Sequence, residues 1–243
     1  CLDYKKADLI VFCGGGYLRS KPGITQSLNL VMQLFMISFA KLFVNSKVVS
    51  PISFGPFAYK WQENLSAVAL NGINVISARE KRSYLMMKKS NIKNVILSAD
   101  HALLLKRRGS LKSVSKSRVI GFTLRRWFES SKQLRFEKEV ANAIRRFSVK
   151  NDYEVQPILQ VDAPRYGEDD MSVTNRVSRK LKHNGVKVKP LVKVKDLSSA
   201  KSIYSSIDIL LGMRMHSNIL AATQFTPYVA ISYEHKTEGI SEL

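Results

Sequence analysis

The chain has 243 residues, 45% of them hydrophobic, and a formal net charge of +20. That length supports one large or two small domains with an ordinary buried core, and no apolar run reaches the roughly 18–20 residues needed to cross a bilayer. Cys1 and Cys13 are too few for a disulfide framework or a zinc site, which fits a reducing interior.

The start lacks the basic, apolar, small-residue pattern of a signal peptide. Residues 9–13 form a short apolar run that predicts a buried strand, and Gly14, Gly15 and Gly16 follow it. Glycines after a strand let the backbone turn tightly and approach a ligand. The spacing is neither G-x-G-x-x-G nor a P-loop. Residues 26–44 predict a helix with Leu30, Leu34, Ile37 and Val44 on its core face. Its apolar stretch, 28–44, is interrupted by Asn29, Gln33, Ser38 and Lys41 and reads as a buried helix. A strand at 47–53 leads into the loop Ser53-Phe54-Gly55-Pro56-Phe57. A helix over 61–70, capped by Asn71-Gly72, precedes a strand at 74–78 that runs into Arg79-Glu80. A helix at 83–90, a strand at 95–97 and the segment Asp100-His101-Ala102 close this half.

Residues 106–117 are basic and Ser-rich without periodicity, which predicts a linker. The α/β rhythm then restarts: strand 118–124, Arg125-Arg126-Trp127, helix 134–149, strand 153–159. Glu168, Asp169 and Asp170 precede a helix over 171–184, where the dipole favours acids. A short strand at 186–188 and a helix at 198–205 follow. The apolar run 207–211 is stopped by Gly212, and Arg214, His216 and Ser217 stand between it and a helical stretch at 219–223. Pro227 breaks the chain before a last strand at 228–232. Strands alternating with helices imply parallel sheets covered on both faces, and ligands of such sheets bind outside the carboxyl ends of the strands.

The chemistry concentrates there. Arg214 can grip a carboxylate or phosphate with a planar fork. Ser217 and its neighbours sit at a helix start, which favours an anion. His216 can carry a proton near neutral pH. Arg125 ends another strand of the same half and offers a second cation. The three consecutive acids cannot all turn to one ion, His101, His183 and His235 have no metal-site spacing, and no Gly-x-Ser-x-Gly elbow occurs. No metal is expected.

Gly212-Met213-Arg214-Met215-His216-Ser217, followed in order by Ser232-Tyr233-Glu234-His235-Lys236, resembles paired motifs of the polysaccharide pyruvyl transferase family. Ser77-Ala78-Arg79-Glu80 is similar to that family's S-x-R-E segment, and Leu124-Arg125-Arg126-Trp127 to its V-R-x-W segment with Leu124 in place of valine. The loop at 53–57 resembles a G-x-G-P segment with Ser53 replacing the first glycine.

The resemblance implies two Rossmann-like lobes facing each other across a cleft, as in GT-B glycosyltransferases: residues 1–106 on the acceptor side, 118–243 on the donor side, with a linker at 107–117. The family's opening βα unit has no counterpart here, so the first strand and helix of the first lobe are expected to be missing. The implied reaction moves a pyruvyl group from phosphoenolpyruvate, a co-substrate rather than a cofactor, to a sugar or lipid-linked oligosaccharide, forming a ketal. Arg125, Arg214, His216, Ser217 and Lys236 would bind the donor, and Arg125, Arg214 and His216 would carry the catalysis, with His216 either the acid or a phosphate ligand. Gly14, Gly15, Gly16, Gly55 and Pro56 would receive the acceptor.

Two other classes compete. A nucleotide-sugar glycosyltransferase of the same fold would use an acid such as Glu234 or Glu238 to hold ribose. A non-catalytic basic module would bind nucleic acid or anionic glycan, but the basic groups at 106–118 and 176–182 lack the stacking aromatics that nucleic acid requires. The charge suits an anionic membrane surface or anionic lipid-linked substrates, so a cytoplasmic protein with peripheral contact at the inner membrane is expected. Nothing in the sequence sets an oligomeric state.

Overall fold

The computed structural model describes residues 7–106, 117–163 and 168–233. The chain divides into two compact units, Cys1–His101 and Ala102–Leu243. Most of the expected linker lies outside the described residues.

The first unit is built on β1 (Leu9–Phe12), β2 (Ser46–Ile52), β3 (Val75–Ala78) and β4 (Val95–Leu97). They form one parallel sheet in the order β1-β2-β3-β4. Between them run α1 (Ile24–Ala40), α2 (Lys60–Leu70) and α3 (Lys81–Lys89). The core gathers Leu30, Leu34 and Ile37 of α1, Val49 and Ile52 of β2, Leu70, Ile76 and Met87. Lys41, just past α1, donates from Nζ to the carbonyls of Ala69 and Asn71 at 2.9 and 2.7 Å, satisfying the open end of α2. Burial, reinforced by Lys47, lowers the pKa of Lys41.

One expectation changes here. α1 buries a single stripe, whereas Leu28, Met32 and Phe35 are 62%, 64% and 58% exposed, so it is not a buried helix. Apolar composition alone does not say how many faces of a helix are covered; that is set by what packs against it.

The second unit holds β5 (Arg118–Thr123), β6 (Tyr153–Leu159), β9 (Val192–Lys193), β10 (Ile209–Gly212) and β11 (Tyr228–Ala230), parallel in the order β11-β10-β5-β6-β9. The helices are α4 (Ser130–Asn151), α5 (Asp170–His183), α6 (Leu197–Ser206) and α7 (Met215–Thr223). A separate antiparallel pair, β7 (Asp162–Ala163) with β8 (Glu168–Asp169), leads into α5. The strand expected at 186–188 is a single bridge, Val155 to Val188, and the pairing strand is β9 instead. Pro190 separates the two segments, and a residue without an N–H cannot extend a ladder. Among the described residues no helix is long and apolar enough to cross a membrane.

The order of the second sheet fixes where a ligand belongs. From β5 the chain builds outward through β6 to β9, then returns to place β10 on the other side of β5 and β11 beyond it. The boundary between β5 and β10 is therefore a topological switch point, where the connections leave in opposite directions and open a crevice at the carboxyl edge.

Candidate active site

Arg125 and Arg214 both stand at that edge. Gly212 pairs with Thr123 across β10 and β5, and each arginine lies two residues beyond its member of the pair. The strand ends are stitched together: Met213 N–H donates to the Thr123 carbonyl at 3.0 Å, and Ile231 N–H to the Gly212 carbonyl at 2.9 Å. Gly212 is needed because a Cβ there would lie 1.8 Å from Asn218 Oδ1, while Asn218 Nδ2 donates to the Gly212 carbonyl at 3.2 Å. Glycine thus lets α7 close onto the end of β10 and fixes the turn that carries Arg214, Met215 and His216.

Arg125 is held by aromatic rings. Its Nη1 donates to the Tyr233 hydroxyl at 3.0 Å, and its guanidinium carbon lies 4.9 Å from the Trp127 ring centre and 5.3 Å from that of Tyr233. The two rings are 4.7 Å apart. Stacking on π-faces orients a guanidinium. Gln133 of α4 positions the loop, its Oε1 accepting from the N–H groups of Trp127 and Phe128 at 3.0 and 3.1 Å. Gln133 in turn donates to Glu137, which is fully buried and grips Arg176 of α5 through both carboxylate oxygens at 2.8 and 2.7 Å.

Arg214 has a different setting from the one expected. Its Nε and Nη2 donate to both oxygens of Asp170, at 2.8 and 2.6 Å, and the Asp170 side chain is only 1% exposed. One edge of the fork expected to meet a ligand is therefore engaged by a buried carboxylate. Asp170, read from sequence as a capping acid, is instead the counter-ion of Arg214, contributed by the start of α5.

Ser217 also differs. It is fully buried, its hydroxyl donates to the Arg214 carbonyl, and it shares a 2.7 Å hydrogen bond with Thr123 Oγ1. Burial raises the pKa of the neighbouring Tyr204 hydroxyl, an effect that Ser217 opposes. The Ser217 side chain thus ties α7 to β5, and what the segment offers an anion is the start of the helix. His216 is exposed in the first turn of α7. Lys236, like Glu234 and Glu238, lies outside the described residues.

In the first unit the two loops expected to receive an acceptor do meet. Ser53 N–H donates to the Gly15 carbonyl at 3.0 Å, Gly55 N–H to Leu18 at 2.7 Å, and Ser20 N–H to Pro56 at 3.1 Å. The Gly55–Pro56 bond is cis. Gly14 has a packing reason to be glycine, since a Cβ would lie 2.1 Å from the Pro51 carbonyl oxygen, whereas at Gly15 it would meet only the Tyr17 ring at 3.3 Å. Gly14→Ala is therefore expected to destabilise by about 1–3 kcal/mol through overpacking, with Gly15→Ala within about 0.5 kcal/mol of the parent. Denaturant midpoints of the two variants check the contrast.

Beside these loops lies a buried polar network that sequence reasoning did not find. Arg79 Nε donates to Ser53 Oγ at 2.7 Å and Glu80 Oε2 at 3.2 Å, and Nη1 donates to Asp100 Oδ2 at 3.1 Å. Glu80 also accepts from Ser53 at 3.1 Å and from Ser83, whose hydroxyl oxygen accepts the Phe54 N–H at 2.7 Å. The available signal was the S-x-R-E segment itself. Tyr233 was likewise inside a quoted motif, but its contact with Arg125 spans 108 positions and has no local pattern. Among the described residues no cluster of His, Cys, Asp and Glu could hold a metal ion.

A model of the family described as polysaccharide pyruvyl transferase matches residues 2–235. Among solved structures, the chain is similar to TarM at 12% identity, covering 83% of this chain and 44% of that one, with a TM-score of 0.48. It is also similar to an S. aureus TarM mutant solved with Fondaparinux, alpha-GlcNAc-glycerol and UDP, at 11% identity, 84% and 45% coverage and a TM-score of 0.46. The chain spans less than half the length of these structures.

Proposed function

From the polysaccharide pyruvyl transferase family, to which this chain belongs, we propose that it transfers a pyruvyl group from phosphoenolpyruvate to a sugar of a cell-surface polysaccharide or its lipid-linked precursor. The observation that carries this reading is the switch point between β5 and β10, with the Arg125 guanidinium set there against the rings of Trp127 and Tyr233 and its backbone N–H on Met213, just before α7. Phosphoenolpyruvate is small and carries a carboxylate and a phosphate. A charged guanidinium and a helix start are the donors such a ligand needs. Arg214 acts mainly by position: pinned by Asp170, it holds the turn from which His216 projects.

The chemistry follows from the donor. A proton delivered to its methylene carbon makes C2 electrophilic, and a sugar hydroxyl adds there. A second hydroxyl of the same sugar then displaces phosphate and closes the ketal. His216 is the candidate acid; a positioned acid contributes about 10²–10⁴-fold.

Titration tests the donor assignment. Phosphoenolpyruvate should bind saturably and change the fluorescence of Trp127, which contacts Arg125, whereas UDP-sugars should not. Arg125→Ala should weaken phosphoenolpyruvate by about ten- to a hundredfold, the worth of one charge-assisted contact. Tight UDP-sugar binding without phosphoenolpyruvate binding would replace this reading with a nucleotide-sugar glycosyltransferase.

A further inference from the structure

The helix α1 carries two apolar stripes, and the core of the first unit takes up one of them. Leu30, Leu34 and Ile37 lie in that core. Ile24, Leu28, Val31 and Phe35 form the other, at spacings of four, three and four residues, and all four are exposed, Ile24 by 81%. Residues so spaced line one side of a helix, and this rhythm is the seam by which one helix interlocks with another. Met32 and Met36, also exposed, widen the stripe on one side, and the exposed amides Gln26, Asn29 and Gln33 border it there.

We propose that this stripe is a self-association surface, on which α1 packs antiparallel against α1 of a second copy of the chain. The pairing does not depend on the reaction proposed above. Charge selects the occupant. At a net charge of +20, two copies repel one another over most of their surface, so they can meet only where charge is absent. The 17 residues of α1 include no Asp, Glu, Lys or Arg. Lys41, just past its end, is turned to the carbonyls of Ala69 and Asn71 on α2 and beyond it. A helix that lies in an anionic bilayer carries Lys and Arg along its polar face, whereas the border of α1 is made of uncharged amides.

Size and symmetry agree with a second copy. At these exposures the six apolar side chains offer on the order of 600 Å², at the top of what a monomer ordinarily leaves bare. With the amide border added, the face approaches the ~800 Å² that each partner brings to a standard interface. A two-fold contact must be self-complementary. With the axis between Leu28 and Val31, each Leu28 meets Val31 of the partner subunit and each Ile24 meets Phe35 of the partner subunit. Antiparallel helices also set opposite dipole ends side by side.

Sedimentation velocity on the full chain, across a micromolar dilution series, tests the pairing. The parent should pass from monomer to dimer. Leu28→Glu and Phe35→Lys should each raise the dissociation constant by about 30-fold or more, as loss of an interface anchor does. Their far-UV circular dichroism should stay that of the parent, because both side chains face outward. Leu28→Glu combined with Val31→Lys should dimerise more tightly than Leu28→Glu alone, since antiparallel pairing sets each new carboxylate against the partner's new ammonium. A parent that stays monomeric, a dimer that neither single substitution weakens, or a double variant weaker than Leu28→Glu alone overturns the proposal. So does a monomeric parent that floats with phosphatidylglycerol vesicles and loses flotation in Leu28→Glu, which would give the stripe to a lipid surface.

Discussion

Arg214→Ala should cost about 3–5 kcal/mol of stability, because removing one partner of a buried pair strands the other charge. Asp170 is 1% exposed and accepts two hydrogen bonds from Arg214; without them its carboxylate has lost its counter-ion inside the protein. Arg214→Lys should recover only part of the loss, since a point charge cannot reproduce a bidentate fork. The pair Arg214→Met with Asp170→Leu should return most of it, because a buried ion pair replaced by well-packed apolar groups is often neutral. Urea denaturation of the second unit measures all three. An Arg214→Ala protein as stable as the parent would show that the pair is not what holds α5 to the turn after β10. The result also governs how activity data are read: lost turnover in an Arg214 variant reports on the turn carrying His216 as much as on any ligand contact.

The second large effect lies in the first unit. Arg79 is 3% exposed, and its side chain faces Glu80 and Asp100, whose side chains are 7% and 12% exposed. Arg79→Leu leaves two carboxylates close together in a poorly solvated site and should destabilise by about 3–5 kcal/mol. Adding Glu80→Gln should offset part of that, since it removes one of the two stranded charges while keeping an oxygen that can accept from Ser83 and Ser53. The measurement is the denaturation midpoint of the first-unit transition, and an additive double variant would mean the two residues do not share one network.

How far the sequence leads differs between backbone and side chains. A strand covered on both faces tends to be an apolar run, so β10 was readable and β5 nearly so, and with them the positions of Arg125 and Arg214 at strand ends of one sheet. The edge strand was not, because 186–189 and 192–195 repeat the same Val-Lys alternation and local pattern cannot choose between them. Side-chain partners were less legible still. Asp170 and Arg214 are 44 positions apart, and an acid at a helix start has a sufficient local explanation in the dipole. Ser217 looked available because it follows a strand end, but the first turn of α7 exposes His216 and turns Ser217 and Asn218 inward. A helix's facing is decided by what it packs on, here Thr123 of the neighbouring strand.

The most direct measurement is product analysis. Phosphoenolpyruvate labelled with ¹³C in the pyruvyl carbons, incubated with the protein and a sugar acceptor, is followed by ³¹P and ¹³C NMR. The expected result is one inorganic phosphate released for each labelled ketal carbon attached to the sugar, with none when the acceptor is omitted. Labelled donor that stays intact across the acceptor panel, while a UDP-sugar is consumed and UDP appears, would contradict pyruvyl transfer.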